Sequence, residues 1–315
     1  MTQRLTIWLL VLGMVLAPAG AARAEKARVA STNLHFARAR FVLPAAVQRE
    51  VALPLGGRIV LAGGLDANGH SAAGVFTLAP ATGRLTELGS VPQAFHDAAG
   101  AILGRNVLVF AGGPVTGTNV VQSFDLRSKQ GRVTSHLPRA LSDLSAAVVG
   151  GKIYLVGGYD GVAAQRTIYE TSDGRTFRVA GRLPVGLRYP AVTTVGNAVL
   201  IAGGESSKGP VPTVYRFDPS TRKIRVLARL PVPLGHAAAF AFRTDFYVAG
   251  GRDRGDRALR SVYVVDSLRG RVRAMPPLPT AVADAGAARV GGNVWLVGGW
   301  NGHTLNSVLV GHASH

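Results

Sequence analysis

The run Ile153-Tyr154-Leu155-Val156-Gly157-Gly158-Tyr159-Asp160-Gly161 joins a continuous apolar segment to a glycine doublet and then to a polar turn. Four apolar residues in a row, stopped by Gly-Gly, fit a short strand covered on both faces. The junction recurs as Leu61-Ala62-Gly63-Gly64, Phe110-Ala111-Gly112-Gly113, Ile201-Ala202-Gly203-Gly204, Val248-Ala249-Gly250-Gly251 and Val297-Gly298-Gly299. Successive doublets lie 45 to 49 residues apart, a period that belongs to stacked or radial repeats.

Each repeat reads as four short strands. In the third copy these are 144–149, 152–156, 167–170 and 175–180, with turns at Gly150-Gly151 and Ser172-Asp173-Gly174 and a closing Leu183-Pro184. Turn residues stand where hairpins need them, as in Gly196-Asn197 and Gly292-Asn293. The first strands are rich in small residues, such as Ala98-Ala99-Gly100-Ala101 and Ala237-Ala238-Ala239. Radial repeats crowd their innermost strands around an axis, where side chains must be small. The last repeat stops after a third strand at 307–310. The segment 38–43, followed by Pro44 as 84–91 is followed by Pro92, supplies the missing fourth strand. The expectation is an all-β, six-bladed propeller with four antiparallel strands per blade. An N-terminal strand closes the last blade, and the ring leaves no exposed sheet edge between its ends.

The first 24 residues read as an address. Arg4 precedes an apolar run over 5–17, Pro18 and Gly20 break it, and Ala22-Arg23-Ala24 offers a signal-peptidase site. The run is short of the roughly 20 apolar residues a membrane span needs. The expected organisation is a signal peptide over 1–24 and one propeller domain over 25–315, acting as a monomer in the periplasm or outside the cell. With no cysteine in the chain, neither a disulfide nor a lipid-modified cysteine is available. The formal net charge is +18, from 35 Lys+Arg against 17 Asp+Glu. This excess either lies scattered on outer strands or attracts anionic envelope polymers and acidic sugars. No basic run interleaved with aromatics speaks for nucleic acid.

The order of apolar strand, Gly-Gly, polar loop, strand and Leu-Pro resembles the kelch repeat. Val297-Gly298-Gly299-Trp300-Asn301-Gly302-His303-Thr304-Leu305-Asn306-Ser307-Val308 is the nearest stretch. The resemblance spans nearly all of residues 25–315 and departs at the fourth strand, where the usual tryptophan is Leu85, Val133, Phe177, Ile224 or Val272. It implies a propeller that presents its loops to a protein partner or ligand. Kelch propellers also include a copper-radical oxidase and periplasmic sialic acid mutarotases. The oxidase needs a cysteine-linked tyrosine and is excluded by the absence of cysteine. No metal or other cofactor is expected, since no paired ligand spacing supports one.

Two sets of loop residues share the expected mouth of the ring. Four and five positions after each repeat-closing proline stand Gln48/Arg49, His96/Asp97, Ser142/Asp143, Arg188/Tyr189, Gly235/His236 and Ala283/Asp284. Directly after each doublet stand Leu65, Pro114, Tyr159, Glu205, Arg252 and Trp300. Arg49, Asp97, Asp143, Tyr159, Arg188, Tyr189, Glu205, His236, Arg252, Asp284 and Trp300 are the candidate ligand-binding residues. Arginine forks onto carboxylates, aromatics stack on sugar faces, and carboxylates accept sugar hydroxyls. Aspartate before a strand also serves as an ordinary turn residue. Two functions follow: a binding propeller for a protein or acidic glycan, or a mutarotase or epimerase of a sialic-acid-like sugar. In the latter Arg188 holds the carboxylate while Glu205 and His236 relay protons.

Overall fold

The computed structural model describes residues 33–114 and 116–314, so the expected signal peptide lies outside the described residues. β1 (Asn33–Val42) comes first in the chain. β2 (Val51–Leu55), β3 (Arg58–Ala62), β4 (Ala72–Ala79) and β5 (Arg84–Phe95) form a sheet in chain order. A seven-stranded sheet follows. It contains β6 (Ala99–Leu103), β7 (Asn106–Phe110), β8 (Thr118–Asp125), β9 (Gln130–Val149), β10 (Lys152–Tyr159), β11 (Thr167–Thr171) and β12 (Arg178–Arg182). The third contains β13 (Ala191–Val195), β14 (Ala198–Ala202), the short β15 (Glu205–Ser206), β16 (Gly209–Asp218) and β17 (Lys223–Leu234). β18 (Ala238–Phe242), β19 (Asp245–Ala249), β20 (Val262–Asp266) and β21 (Val272–Met275) form the fourth. β22 (Gly286–Val290), β23 (Asn293–Val297) and β24 (Ser307–Ser314) form the last together with β1. All strand pairs are antiparallel, and the arrangement is a β-propeller.

The seven-stranded sheet has a simple origin. β9 pairs with β8 through Gln130–Leu141 and with β10 through Ser142–Val149, so one unbroken backbone serves as the last strand of one unit and the first of the next. The expected N-terminal closure is present. β1 pairs with β24 from Asn33↔Ser314 to Val42↔Ser307. Both strands are longer than the sequence suggested, because 311–314 continue the ladder beyond the expected third strand. His312, which reads as tail in the sequence, lies within β24 and meets Asn293 Oδ1 through Nδ1 at 3.0 Å. In the third repeat the last strand starts at Arg178 rather than at 175. The N–H groups of Arg175 and Thr176 are instead taken by Asp173 Oδ1, each at 2.8 Å.

Apolar side chains interlock between neighbouring sheets. Val60, Val75, Val107, Val109 and Phe124 share one cluster, and Ile59, Leu78, Trp295, Val297 and Val308 another. Strands such as β14 are buried at every residue because a sheet covers each face. Each such valine, leucine or phenylalanine contributes about 1.5–3 kcal/mol of transfer free energy. The core is thus a set of inter-sheet seams, and pulling one sheet out would expose two of them.

The doublets staple each unit to the next. Both glycines of Gly157-Gly158 have positive φ, 66° and 105°. The Gly158 N–H donates to Leu187 O at 2.8 Å, and a Cβ on Gly157 would stand 2.3 Å from the same oxygen. Gly204 reaches Leu234 O, Gly251 reaches Val282 O, and Gly299 reaches Val47 O in the same way. The second copy is displaced by one residue. There Ala111, at φ 60°, occupies the first-glycine place, and Gly112 makes the equivalent bond to Leu141 O at 2.9 Å. This displacement explains the uneven doublet spacing on either side of it.

Candidate functional site

Six residues converge on the axis at one end of the propeller: Arg49, Asp97, Asp143, Tyr189, His236 and Asp284. All have left-handed backbone, with φ between 49° and 60°. Their main chains close a hydrogen-bonded ring. Arg49 N–H donates to Asp284 O (2.9 Å), Asp97 to Arg49 (3.3 Å), Asp143 to Asp97 (2.8 Å), Tyr189 to Asp143 (2.9 Å), His236 to Tyr189 (3.2 Å) and Asp284 to His236 (3.0 Å). Aspartate and histidine are enriched among the residues that take this conformation, whereas arginine and tyrosine seldom occupy it. The three aspartates therefore fit the turn reading of the sequence. Arg49 and Tyr189 hold a backbone that costs of order 1 kcal/mol or more each.

The second loop set is bonded directly to the first. Arg188 and Glu205 exchange both backbone hydrogen bonds, at 2.9 and 2.8 Å, as do Gly235 with Arg252 and Ala283 with Trp300. In the second repeat the residue in this place is Gly113, not Pro114. Gly113 N–H donates to His96 O at 2.8 Å and the residue lines the mouth. This correction follows from the one-residue displacement of the doublet.

The two sets enclose a mouth of roughly 300 Å³. Arg49, Asp97, Asp143, Arg188, Tyr189, Glu205, His236 and Arg252 all border it. Tyr159 and Trp300 stand behind the border as supports: the Arg188 guanidinium lies 4.5 Å from the Tyr159 ring centre, and that of Arg252 lies 4.0 Å from Trp300. Asp284 sits deeper, below His236. Arg188 pairs with Asp143 at 2.6 Å, Arg49 with Asp97 at 2.9 Å, and Arg252 with Asp284 at 2.5 Å. Tyr189 stacks on His236 with ring centres 3.7 Å apart and donates its hydroxyl to Asp97 at 3.2 Å.

Asp284, His236 and Glu205 form a line from the interior to the mouth. His236 Nδ1 meets Asp284 Oδ1 at 2.6 Å and its Nε2 meets Glu205 Oε1 at 3.3 Å. Burial alone would pull the imidazole pKa down, but the two flanking carboxylates override it and raise the pKa. Burial likewise works against ionised Asp284, yet His236, Arg49 and Arg252 bring its pKa down to about 2. The bond from His236 lowers Glu205, the one member with appreciable solvent access. Burial pushes Asp97 up to about 7 against the pull of Arg49, with Asp143 and Asp284 adding to the rise.

Three residues escaped sequence reasoning. Asp256 takes Arg252 Nη1 at 3.0 Å at the open rim. Ser71 Oγ meets His96 Nδ1 at 2.8 Å. Glu50, next to the ring residue Arg49, faces the interior. Its signal was available: Ala98, Leu144, Pro190, Ala237 and Ala285 fill the equivalent places, so an acid there breaks the repeat.

A β-propeller with a polar, charge-paired mouth is the class that fold and site define. A family model described as Kelch motif matches residues 140–170 and 186–231. The Kelch-like protein terF of Aspergillus terreus is 26% identical over 238 residues, which cover 67% of this chain and 51% of that protein. The chain therefore spans about half the length of that curated relative. The solved structure of YjhT superposes with a TM-score of 0.74 at 16% identity, covering 85% of this chain and 95% of that one. Kelch motifs are thus present within the chain, and its fold is that of a β-propeller.

Proposed function

We propose that this chain is a six-bladed kelch propeller acting outside the cytoplasm, whose mouth binds a compact polar ligand bearing a carboxylate. The count of six divides β9 between Leu141 and Ser142, and the closed ring of six backbone bonds supports it. The export reading rests on the leader-like first 24 residues. One observation carries the ligand class: Arg188, Glu205, His236 and Arg252 are gathered in one sector of the mouth, with both arginines fixed on aromatic rings. A guanidinium held in this way is pre-organised to fork onto a carboxylate. Asp256, largely exposed on its rim loop, occupies part of Arg252 and is the partner a ligand carboxylate would replace.

Thermal-shift and calorimetric titration with N-acetylneuraminate, glucuronate and the neutral sugar galactose tests this reading. Stabilisation by the acids alone is expected, with Arg188→Ala weakening binding at least tenfold. If no acidic sugar shifts melting at millimolar concentration, the mouth is a protein-docking face instead.

The Asp284–His236–Glu205 line favours a second reading, anomeric exchange of an acidic sugar. Glu205 takes the anomeric hydroxyl proton as the ring C–O bond breaks, and solvent water at the open mouth protonates the departing ring oxygen. When that hydroxyl re-adds to the other face of the carbonyl it gives its proton back to water, and Glu205 returns its own to the new anomeric hydroxyl. A carboxylate with a lowered pKa is a weak base, suited to an O–H proton and not to one on carbon. Acceleration of N-acetylneuraminate mutarotation over buffer, followed by NMR and abolished in Glu205→Gln, is the expected result. A rate equal to buffer removes this reading and leaves binding.

A further inference from the structure

Beneath the ring of six the axis continues as a tunnel of successive spaces that share wall residues. Just under the ring lies a chamber of roughly 120 Å³, bordered by Glu50, Asp97, Asp143 and Asp284 against Arg49 and His236. Below it are spaces of roughly 200 and 400 Å³. Their walls come from alternate residues of the innermost strands, including Ala52, Gly100, Ala146, Val192, Ala239 and Ala287. Glu50 is the one titratable group among the residues bordering these lower spaces.

Glu50 is held for a purpose its neighbours do not use. It is 8% exposed. The Gly286 N–H donates to its Oε1 at 3.1 Å, while Oε2 is buried with no hydrogen-bond partner among the described residues. Gly286 makes the room, because a Cβ there would stand 2.7 Å from Glu50 Oε1. An unmatched buried carboxyl oxygen costs about 1–3 kcal/mol unless a ligand or water meets it. The other three acids of the chamber each have a cation, Asp97 with Arg49, Asp143 with Arg188, and Asp284 with Arg252 and His236, whereas Glu50 is in no ion pair among the described residues.

We propose that the chamber binds the ammonium head of a primary aliphatic amine, paired with Glu50, while the alkyl tail lies in the alanine-walled tunnel. The chamber's volume is about that of four waters at roughly 30 Å³ each, enough for the head and its first methylene groups. The lower walls offer methyl groups to the remainder of the tail. The titratable groups bordering the chamber with Glu50 are Asp284, Asp97, Asp143, Tyr189, Arg49 and His236 of the ring above. Burial raises the Glu50 pKa to about 8, with Asp284 adding to the rise. At neutral pH the site therefore exchanges one cation for another: the alkylammonium enters, Glu50 gives up its proton, and that proton leaves to solvent.

The test is titration of the full chain with hexylammonium chloride at pH 7.0, using hexanol and potassium chloride as controls. The expected result is a melting shift with the amine alone. Calorimetry in phosphate and in Tris should differ by the heat of close to one released proton. Glu50→Gln should weaken binding at least tenfold. Ala239→Leu, which narrows the tunnel and leaves the acids in place, should do the same while acidic-sugar titrations stay unchanged. No amine shift in the parent overturns the proposal and leaves a column of water. Equal binding by both variants overturns it too, by placing the amine elsewhere.

Discussion

Glu50 keeps its proton at neutral pH because burial disfavours its charged form and no ion pair among the described residues compensates it. Its pKa rises to about 8 in the folded chain, against an ordinary value near 4.5. The folded state thus binds more protons than the unfolded state between these values. The sign follows: stability falls as pH rises from about 4.5 to 8 and then levels. The full difference corresponds to about 5 kcal/mol as an upper figure. Glu50→Gln should therefore be close to neutral at pH 5 and stabilising by about 2 kcal/mol or more at pH 8.5, read from urea melts at the two values. Asp284 behaves oppositely. With its pKa near 2, its contribution is present above about pH 4 and is lost as pH falls through 2. Asp284→Asn should cost about 3 kcal/mol at neutral pH, because it leaves His236 and Arg252 without their buried partner. A chemical melt of that variant at pH 7 measures the loss.

The doublet acts as a joint between elements. Gly250 has φ 67°, and a Cβ there would stand 2.1 Å from Val282 O, an oxygen already accepting the Gly251 N–H at 2.9 Å. Gly250→Ala should destabilise by about 3 kcal/mol or more, as a left-handed backbone and a backbone clash combine. The corresponding change at Gly298, whose Cβ would stand 2.3 Å from Val47 O, should match it in a denaturant melt. The second repeat shows what the sequence could not reveal. Phe110-Ala111-Gly112-Gly113 contains the doublet letters one place late, and the hydrogen bond to Leu141 O decides the register. The mouth was legible because the first loop set recurs at a fixed distance from Pro in every repeat and the second follows Gly-Gly in all repeats but the second. Glu50 was not picked out, because its meaning depends on the tunnel beside it and on Gly286 across the sheet boundary, some 236 positions away in the chain.

At the scale of the whole molecule, the last sheet is built from both ends of the described chain, so ring closure is a property of the termini. β1 contributes more than an edge. Leu34 is fully buried in a cluster with Tyr247 and Val264 of the neighbouring sheet and Leu278 of the loop after β21, and the Phe41 ring stacks on Trp295 at 6.1 Å. Deleting 25–43 would uncover the β24 ladder and these two contact regions together. Removing one fully buried leucine alone costs about 2–5 kcal/mol. That loss, with the stacked phenylalanine and the freed edge, is comparable to the 5–15 kcal/mol that stabilises a typical domain. The truncated chain should therefore fail to melt cooperatively at 25 °C, or should associate through the bare edge of β24 and run larger than a monomer in size-exclusion chromatography. Supplying 25–43 as a separate peptide should restore a single cooperative transition, since the register from Asn33↔Ser314 to Val42↔Ser307 lies in the strands themselves. A truncated chain that melts like the parent without the peptide would mean that the ring holds without its closing strand. The inter-sheet seams alone would then set the stability of the propeller.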